Sequence, residues 1–191
     1  MARKFVSYIG KFLVATPLMD DSIFSQALVI ILAHDQLGGV GVVINKTCGS
    51  VDLEAVRKKY IIKKRLFMRT KLLPIGYGGP VEENGLFVLS SNEKKGKLFT
   101  DNFKLTLFTN AEIYVADYLN GLNKNDFIIV KGYCSWRAGQ LEEEVLENSW
   151  IVTEPDYKTI FSSKNQTKYS KIAKKNKLSK LANIVSYSGN A

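Results

Sequence analysis

The sequence predicts a single α+β domain built on a largely antiparallel β-sheet with flanking helices. Its 191 residues fit one domain, since domains typically hold about 100 to 200 residues. Apolar residues make up 46% of the chain and charged residues 24%, a balance that is typical of globular proteins. Strand-like and helical segments follow one another without a regular βαβ repeat, which favours α+β over a doubly wound parallel sheet.

The first part of the chain indicates a strand followed by a β-hairpin. Residues 12–16 are apolar and end at Pro17, which cannot donate a hydrogen bond to a strand ladder. Residues 27–34 form a β-branched run that predicts a central strand. Turn-forming residues 35–39 then precede the apolar segment 40–44, and this order predicts a hairpin.

Two helices have recognisable capping signals. Asp52 precedes a helix that is predicted to end near Tyr60, because an aspartate side chain satisfies free N–H groups of a first turn. Thr109 and Glu112 have the spacing of a capping box, and Gly121 ends the helix that follows. A third helix is predicted at residues 140–147, and the remaining strands at residues 73–77, 86–90, 103–108, 126–131 and 150–153.

A change of composition marks the C-terminal part of the chain. From residue 162 the sequence is rich in lysine, asparagine and serine, so we expect a domain at residues 1–161 and a basic tail at residues 162–191. Tyr169, Ile172 and Ala173 are spaced as one face of a helix. The tail is therefore predicted to hold one short amphipathic helix that packs weakly on the domain.

The positive charge is concentrated in two segments. The chain has 27 basic and 18 acidic residues, a net charge of +9. Residues 57–71 and 164–180 contain many of the basic side chains and no acidic one, so the rest of the chain is net acidic. Clustered cations bind phosphates, although a solvated lysine-rich face gives the same pattern.

The sequence contains neither a membrane-spanning segment nor a disulfide framework. Its longest apolar runs are far shorter than the roughly 20 residues that a membrane-spanning helix needs. Cys48 and Cys134 lie far apart in the sequence and belong to no CxxC pair. We therefore expect a cytoplasmic protein that does not bind membranes.

No standard catalytic or cofactor motif is present. His34 is the only histidine, which excludes HExxH and Cys2His2 zinc sites. The sequence lacks G-x-S-x-G, G-x-G-x-x-G and GxxxxGK[ST], the loops of hydrolases and nucleotide-binding proteins. We therefore expect no metal and no cofactor. The acidic residues at the start of the predicted 140–147 helix are interpreted as solvated side chains that complement its dipole.

Several short motifs occur in a defined order. They are Phe12-Leu-Val-Ala-Thr-Pro17, residues 28–34, residues 39–46, Gly78-Gly-Pro-Val81, residues 132–136 and Gly139-Gln-Leu-Glu142. In this order and spacing they resemble the YqgE/AlgH family, from Gly10 to Ile160. The resemblance implies a compact α+β fold with a largely antiparallel sheet. It also implies a cytoplasmic location, and some members are described as transcriptional regulators without a recognisable DNA-binding motif.

Seven positions that match the family motifs form the predicted binding surface. They are His34, Asn45, Gly79, Pro80, Trp136, Gln140 and Glu142. These residues fall in turns or at strand ends, where a rigid scaffold presents side chains to solvent. We expect them to converge on one partly exposed surface that binds a protein or a small anionic ligand, the latter at the start of the 140–147 helix.

The sequence leaves three functions open. The leading hypothesis is a non-catalytic binding or regulatory protein, for which the resemblance implies a role in transcriptional regulation. The first alternative is an enzyme in which His34 is the general base and Gln140 a polar clamp, which a deep pocket would favour. The second is weak, sequence-independent nucleic-acid binding through residues 57–71 and the C-terminal lysines, which requires both segments to lie on one face.

Overall fold

The computed structural model describes residues 5–63, 71–91, 105–122, 126–162 and 164–178. Nine strands and five helices lie in these ranges. The strands are β1 (Phe12–Ala15), β2 (Leu28–Asp35), β3 (Gly38–Val43), β4 (Thr47–Asp52), β5 (Leu72–Tyr77), β6 (Val81–Ser90), β7 (Thr106–Phe108), β8 (Phe127–Arg137) and β9 (Trp150–Thr153). The helices are α1 (Leu53–Lys59), α2 (Ala111–Leu119), α3 (Gln140–Leu146), α4 (Tyr157–Ile160) and α5 (Asn165–Lys175).

All nine described strands join one sheet. Seven of them follow the order β4-β5-β8-β3-β2-β1-β9, while β6 pairs with β8 and β7 pairs with β6. Strands β5 and β8 run parallel, and the other pairings within the described ranges are antiparallel. The predicted α+β fold with a largely antiparallel sheet is thereby confirmed.

Strand β8 is central to the sheet and is longer than the sequence predicts. Its first half, through Lys131, pairs with β5 and β6, Tyr133 pairs with β6 after a register shift, and the second half, from Cys134, pairs with β3. Gly132 joins the two halves with a φ of 69°, a conformation that glycine adopts at little cost. The sequence predicts that this strand ends at Lys131, but the strand continues through an irregularity at Gly132. Sequence alone does not separate the two cases, because glycine occurs both at strand ends and at bulges inside strands.

Helices cover both faces of the sheet. Ile129 of β8 packs with α1 and α2, and the adjacent Val130 belongs to the cluster of α4 and α5. Successive side chains of a strand point to opposite faces, so these two helix pairs lie on opposite sides. A third cluster packs Leu141 of α3 with Trp136 and Trp150. No helix in the described ranges is long and apolar enough to cross a bilayer.

The capping signals are present, with one shift of position. Asp52 caps α1 as predicted, since its carboxylate accepts two N–H groups of the first turn. The cap of α2 is Asn110 rather than Thr109, because the Asn110 side chain accepts a backbone N–H of that helix. Glu112 does not reach back to the cap and pairs instead with Lys59. This ion pair links α1 to α2.

Helix α5 lies inside the predicted basic tail and is packed into the core. Ile172 is 1% exposed and shares a cluster with Val130. The Tyr169 hydroxyl donates to the main-chain oxygen of Ala15 at 2.7 Å. Full burial of an isoleucine side chain stabilises a fold by about 1.5 to 3 kcal/mol, so α5 is held more firmly than the sequence suggests. Within the tail, residues 163 and 179–191 lie outside the described ranges.

Lys168 of α5 is a buried cation that is 2% exposed. Its Nζ donates to the main-chain oxygens of Ile44, at 2.8 Å, and Ile160, at 2.9 Å. Burial lowers the pKa of this lysine from 10.5 to about 8, because a charged amine is poorly solvated inside a protein. A neutral amine still has two N–H donors, so both hydrogen bonds survive deprotonation.

We expect the stability of the wild type, relative to Lys168→Met, to rise as the pH rises from 8 to 10.5. In this window the unfolded chain holds a proton that the folded chain has released, so a higher pH favours folding. The cost of burying the charge, up to about 3 kcal/mol, is fully present below this window and absent above it. Urea unfolding of both proteins measures the difference, and a pH-independent difference would contradict the lowered pKa.

Candidate functional site

The β2–β3 hairpin carries His34 to one end of the sheet. Asp35 Oδ1 accepts a backbone N–H of the turn at 2.8 Å, an arrangement that aspartate commonly provides. Gly38 has a φ of 139°, and a Cβ at this position would lie 2.2 Å from the main-chain oxygen of Trp136. Only glycine therefore lets β8 approach the hairpin this closely. The approach places Gly39 opposite both His34 and Trp136 in the sheet.

The His34 side chain is buried and held by the N-terminal segment. His34 is 3% exposed, and its Nδ1 accepts the Tyr8 N–H at 3.0 Å. The two rings stack with their centroids 5.0 Å apart, and the Ser7 hydroxyl donates to the His34 main-chain oxygen at 2.9 Å. Because Nδ1 accepts a hydrogen bond, the proton of the neutral ring lies on Nε2.

The Nε2 atom of His34 faces Glu142 of α3. Nε2 lies 3.4 Å from Glu142 Oε1, close enough for an electrostatic contact. The two atoms are not aligned as a hydrogen bond, and Nε2 has no hydrogen-bond partner within the described part of the chain. The contact therefore joins the hairpin to α3 without the strength of an aligned charge-assisted bond.

The Glu144 carboxylate of α3 accepts three side-chain hydrogen bonds. Its Oε2 accepts Trp136 Nε1–H at 2.9 Å and Trp150 Nε1–H at 2.7 Å. Its Oε1 accepts a Gln140 Nε2–H at 2.9 Å, while Gln140 Oε1 accepts the Arg137 N–H at 3.1 Å. One carboxylate thus fixes two tryptophans and the first turn of α3.

The structure brings four of the seven predicted residues together. They are His34, Trp136, Gln140 and Glu142, on the hairpin, the end of β8 and α3. Asn45 lies beyond the other end of β3, where its Oδ1 accepts the Leu28 N–H at 2.7 Å and its Nδ2 donates to the Gln26 main-chain oxygen at 2.9 Å. Asn45 therefore holds the start of β2 and does not join the group.

Gly79 and Pro80 lie beside an earlier part of β8. Gly79 is buried and Pro80 exposed. Gly79 has a φ of 153°, and a Cβ there would lie 2.3 Å from the main-chain oxygen of Tyr133. A Cβ on Gly132 would in turn lie 2.2 Å from the Gly79 oxygen. The Gly79 turn is therefore defined by close backbone packing against β8 rather than by contact with the His34 group.

An open cavity of about 230 Å³ lies beside the group. Its walls are the hairpin and the end of β8, through Ala33, His34, Asp35, Leu37, Gly38, Gly39, Val40, Ser135 and Trp136. Ser135 is exposed, and Leu37 is 86% exposed at the tip of the hairpin. Gln140 and Glu142 are not among the lining residues and support the wall from α3. The cavity is open to solvent, unlike the deep pocket that would favour an enzyme.

The comparison with protein families matches the AlgH-like family (DUF179) to residues 12–180. The chain belongs to the AlgH-like family. The match extends past Ile160, where the motif resemblance ends, and includes α5. UPF0301 proteins from Rickettsia canadensis and Rickettsia massiliae are each 33% identical to the chain over 162 residues, which cover 84% of this chain and 84% of theirs.

Solved structures show the same AlgH-like fold. The AlgH protein from Pseudomonas aeruginosa is 27% identical, with a TM-score of 0.68 over 90% of this chain and 91% of that one. A protein from Corynebacterium diphtheriae is 18% identical, with a TM-score of 0.63 over 92% of this chain and 90% of its own. The second likeness is one of fold alone.

Glu144 is the residue of this AlgH-like site that sequence analysis missed. It was grouped with the solvated acids of α3, whereas it accepts three hydrogen bonds. Two signals point to it. Gln140 and Glu144 are four residues apart and so share a helix face, and the indole N–H groups of two buried tryptophans need acceptors.

The thiols of the AlgH-like chain offer no nucleophile beside the site. Burial raises the pKa of Cys134 to about 12, and its Sγ donates to the Gly78 main-chain oxygen at 3.3 Å. A thiol becomes a nucleophile as the thiolate, a form that this pKa disfavours. Cys48 is free and exposed on β4. Within the described residues, no three or more His, Cys, Asp or Glu side chains are grouped to hold a metal ion.

The described parts of the two basic segments do not share a face of the AlgH-like fold. Helix α1 packs on the Ile129 side of β8, and α5 packs on the Val130 side. Lys59 pairs with Glu112, Lys171 pairs with Asp156, and Lys168 is buried. Residues 64–70, 163 and 179–180 lie outside the described ranges. Where the structure describes them, the segments form no contiguous surface of the kind that neighbouring phosphates require.

Proposed function

We propose that the chain is a non-catalytic cytoplasmic binding protein that acts in regulation by receiving a partner protein at the cavity beside His34. One observation carries the proposal: the motif residues His34, Gly39 and Trp136 line a single solvent-open cavity. Binding sites are concave and largely preformed. The Glu144 hydrogen bonds supply such rigidity, because they fix Trp136 against α3.

The hydrogen bonds that His34 and Gln140 already make favour binding over catalysis. A general base needs a free lone pair within reach of its substrate. The His34 Nδ1 lone pair accepts the Tyr8 N–H, and Nε2 is buried. The Gln140 amide oxygen accepts the Arg137 N–H, and its amide nitrogen donates to Glu144. Gln140 is therefore not free to hold a substrate as a polar clamp.

The charges around the cavity favour a protein partner over a small anion. Asp35 lines the cavity and is exposed at the hairpin. A carboxylate in the lining repels an anionic ligand. Exposed Leu37 offers an apolar contact, so the surface suits an uncharged or basic protein segment. Transcriptional regulation enters the proposal as an effect exerted through this partner rather than through direct DNA contact.

We expect Ser135→Arg to abolish partner recovery while leaving the fold intact. Ser135 is exposed and lines the cavity, so an arginine there occupies the space that the partner needs. The measurement is crosslinking in cells, followed by mass spectrometry of the proteins recovered with each variant. Recovery of wild-type partners should fall at least about tenfold, since losing about 1.4 kcal/mol of binding free energy reduces affinity tenfold.

Ser50→Arg is the matched control for this prediction. Ser50 is also an exposed strand serine, but it lies on β4, away from the cavity. Both variants should melt within a few degrees of the wild type, because exposed substitutions change stability by about 0.5 kcal/mol or less. If Ser135→Arg and Ser50→Arg recovered the same partners equally well, the cavity would not be the partner-binding site.

A further inference from the structure

A second cavity lies between the sheet and the connection from α4 to α5. It has a volume of about 190 Å³ and is lined mainly by apolar side chains. Gly76 of β5 and Val130 of β8 line it from the sheet, and Phe161 lines it from the connection. The cavity shares no lining residue with the one beside His34. It is therefore a separate candidate site.

The volume and the aromatic lining of this cavity suit a single ring. A cavity of about 150 Å³ lined by aliphatic and aromatic side chains binds benzene, so this slightly larger one accommodates a ring with a small substituent. Phe127 and Phe161 are both lining residues, and aromatic rings contact one another favourably edge-to-face or offset. A helix, with a diameter of about 10 Å, does not fit.

The lining carries no charge that could pair with a ligand. Among the described residues, none of the side chains that line the cavity is ionisable. The Lys168 ammonium of α5 is enclosed, since it donates to the main-chain oxygens of Ile44 and Ile160, and it does not line the cavity. Moving a charged group into apolar surroundings without a partner is strongly unfavourable. The occupant is therefore uncharged.

Two polar side chains of the lining keep unused hydrogen-bonding capacity. Ser162 Oγ accepts the Lys164 N–H at 3.2 Å, and its O–H donates to no described residue. Asn165 Nδ2 donates to Thr47 Oγ1 at 3.0 Å, and its Oδ1 accepts from no described residue. Both residues are half-buried, so water competes for these groups. A hydroxyl both donates and accepts, and it therefore matches one donor beside one acceptor.

We propose that this cavity binds a small uncharged phenol. The ring lies against Val130 and Phe161, and the hydroxyl donates to Asn165 Oδ1 and accepts the Ser162 O–H. One neutral hydrogen bond changes an affinity by about fivefold once its competition with water is included. Recognition therefore depends on the size of the ring and on its hydroxyl, and it requires no occupant in the cavity beside His34.

The test titrates phenol and toluene separately into the ¹⁵N-labelled full chain at pH 7, where a phenol is uncharged. We expect saturable shifts of the Gly76, Val130 and Asn165 amides with both probes. Asn165→Leu removes the acceptor but keeps a side chain of similar size. The affinity of phenol relative to that of toluene should therefore fall at least about fivefold in this variant. The ratio cancels the different costs of removing the two probes from water.

Gln166→Leu is the matched control for Asn165→Leu. Gln166 is exposed beside Asn165 and does not line the cavity, so the ratio should stay within about twofold of the wild type. Benzoate should bind the wild type at least about tenfold more weakly than phenol, because the lining offers no cation. Equal ratios in the two variants, shifts that map outside the cavity, benzoate binding as tight as that of phenol, or no saturable binding at millimolar concentrations would each overturn the proposal.

Discussion

Replacing Gly79 by alanine is expected to destabilise the protein by about 3 to 5 kcal/mol, the range of severe point mutations. An alanine Cβ would lie 2.3 Å from both the main-chain carbon and oxygen of Tyr133 and 2.6 Å from the Cys134 nitrogen. These are backbone atoms of the central strand, so no side-chain rotation relieves the overlap. The φ of 153° at Gly79 adds strain for any L side chain.

Gly49→Ala is the control for this effect. Gly49 lies on the exposed strand β4, and an added Cβ would meet only the Ile75 side chain, at 3.8 Å. This substitution should change stability by less than about 1 kcal/mol, because it removes backbone freedom without creating an overlap. Urea unfolding of both variants gives the comparison. If Gly79→Ala were no less stable than Gly49→Ala, the backbone packing described at this turn would be wrong.

The hairpin and the capped helices follow from local sequence, whereas long-range pairing does not. The β-branched run of residues 27–34 and the turn at Asp35 predict β2 and β3 because both signals lie within a few residues. Strand β4 was not predicted. Its sequence, TCGSVD, is largely exposed and lacks an apolar alternation. It is a strand because its backbone pairs with β5, some 25 positions later.

The candidate site shows the same division between local and long-range information. His34 was placed correctly at the end of a strand beside a turn, but its contacts with Tyr8 join residues 26 positions apart. Asn45 was expected to face a ligand, and it instead bonds the backbone at the start of β2. An asparagine in a turn has the same sequence signature in both roles, since its amide satisfies backbone groups as well as ligands.

Replacing Glu144 by alanine is expected to cost about 2 to 4 kcal/mol, because donors in a partly buried environment lose their acceptor. The Trp136 and Trp150 indoles and the Gln140 amide would each be left without the carboxylate. Trp136 is 6% exposed and Trp150 2% exposed, so water does not readily replace the Glu144 carboxylate as their hydrogen-bond acceptor. Glu144→Gln keeps one oxygen acceptor but turns an NH₂ group towards the donors. Its loss of stability should therefore lie between zero and that of Glu144→Ala.

Glu143→Ala isolates the hydrogen bonds from the change in helix composition. Glu143 is the neighbouring residue on α3 and is exposed, so its removal should alter stability by no more than about 0.5 kcal/mol. Urea unfolding followed by tryptophan fluorescence reports both stability and the environment of the two indoles. The fluorescence of the folded state should change in Glu144→Ala and not in Glu143→Ala. Equal stabilities of these two variants would mean that Glu144 is a solvated acid after all, and that the rigidity of the cavity wall has another source.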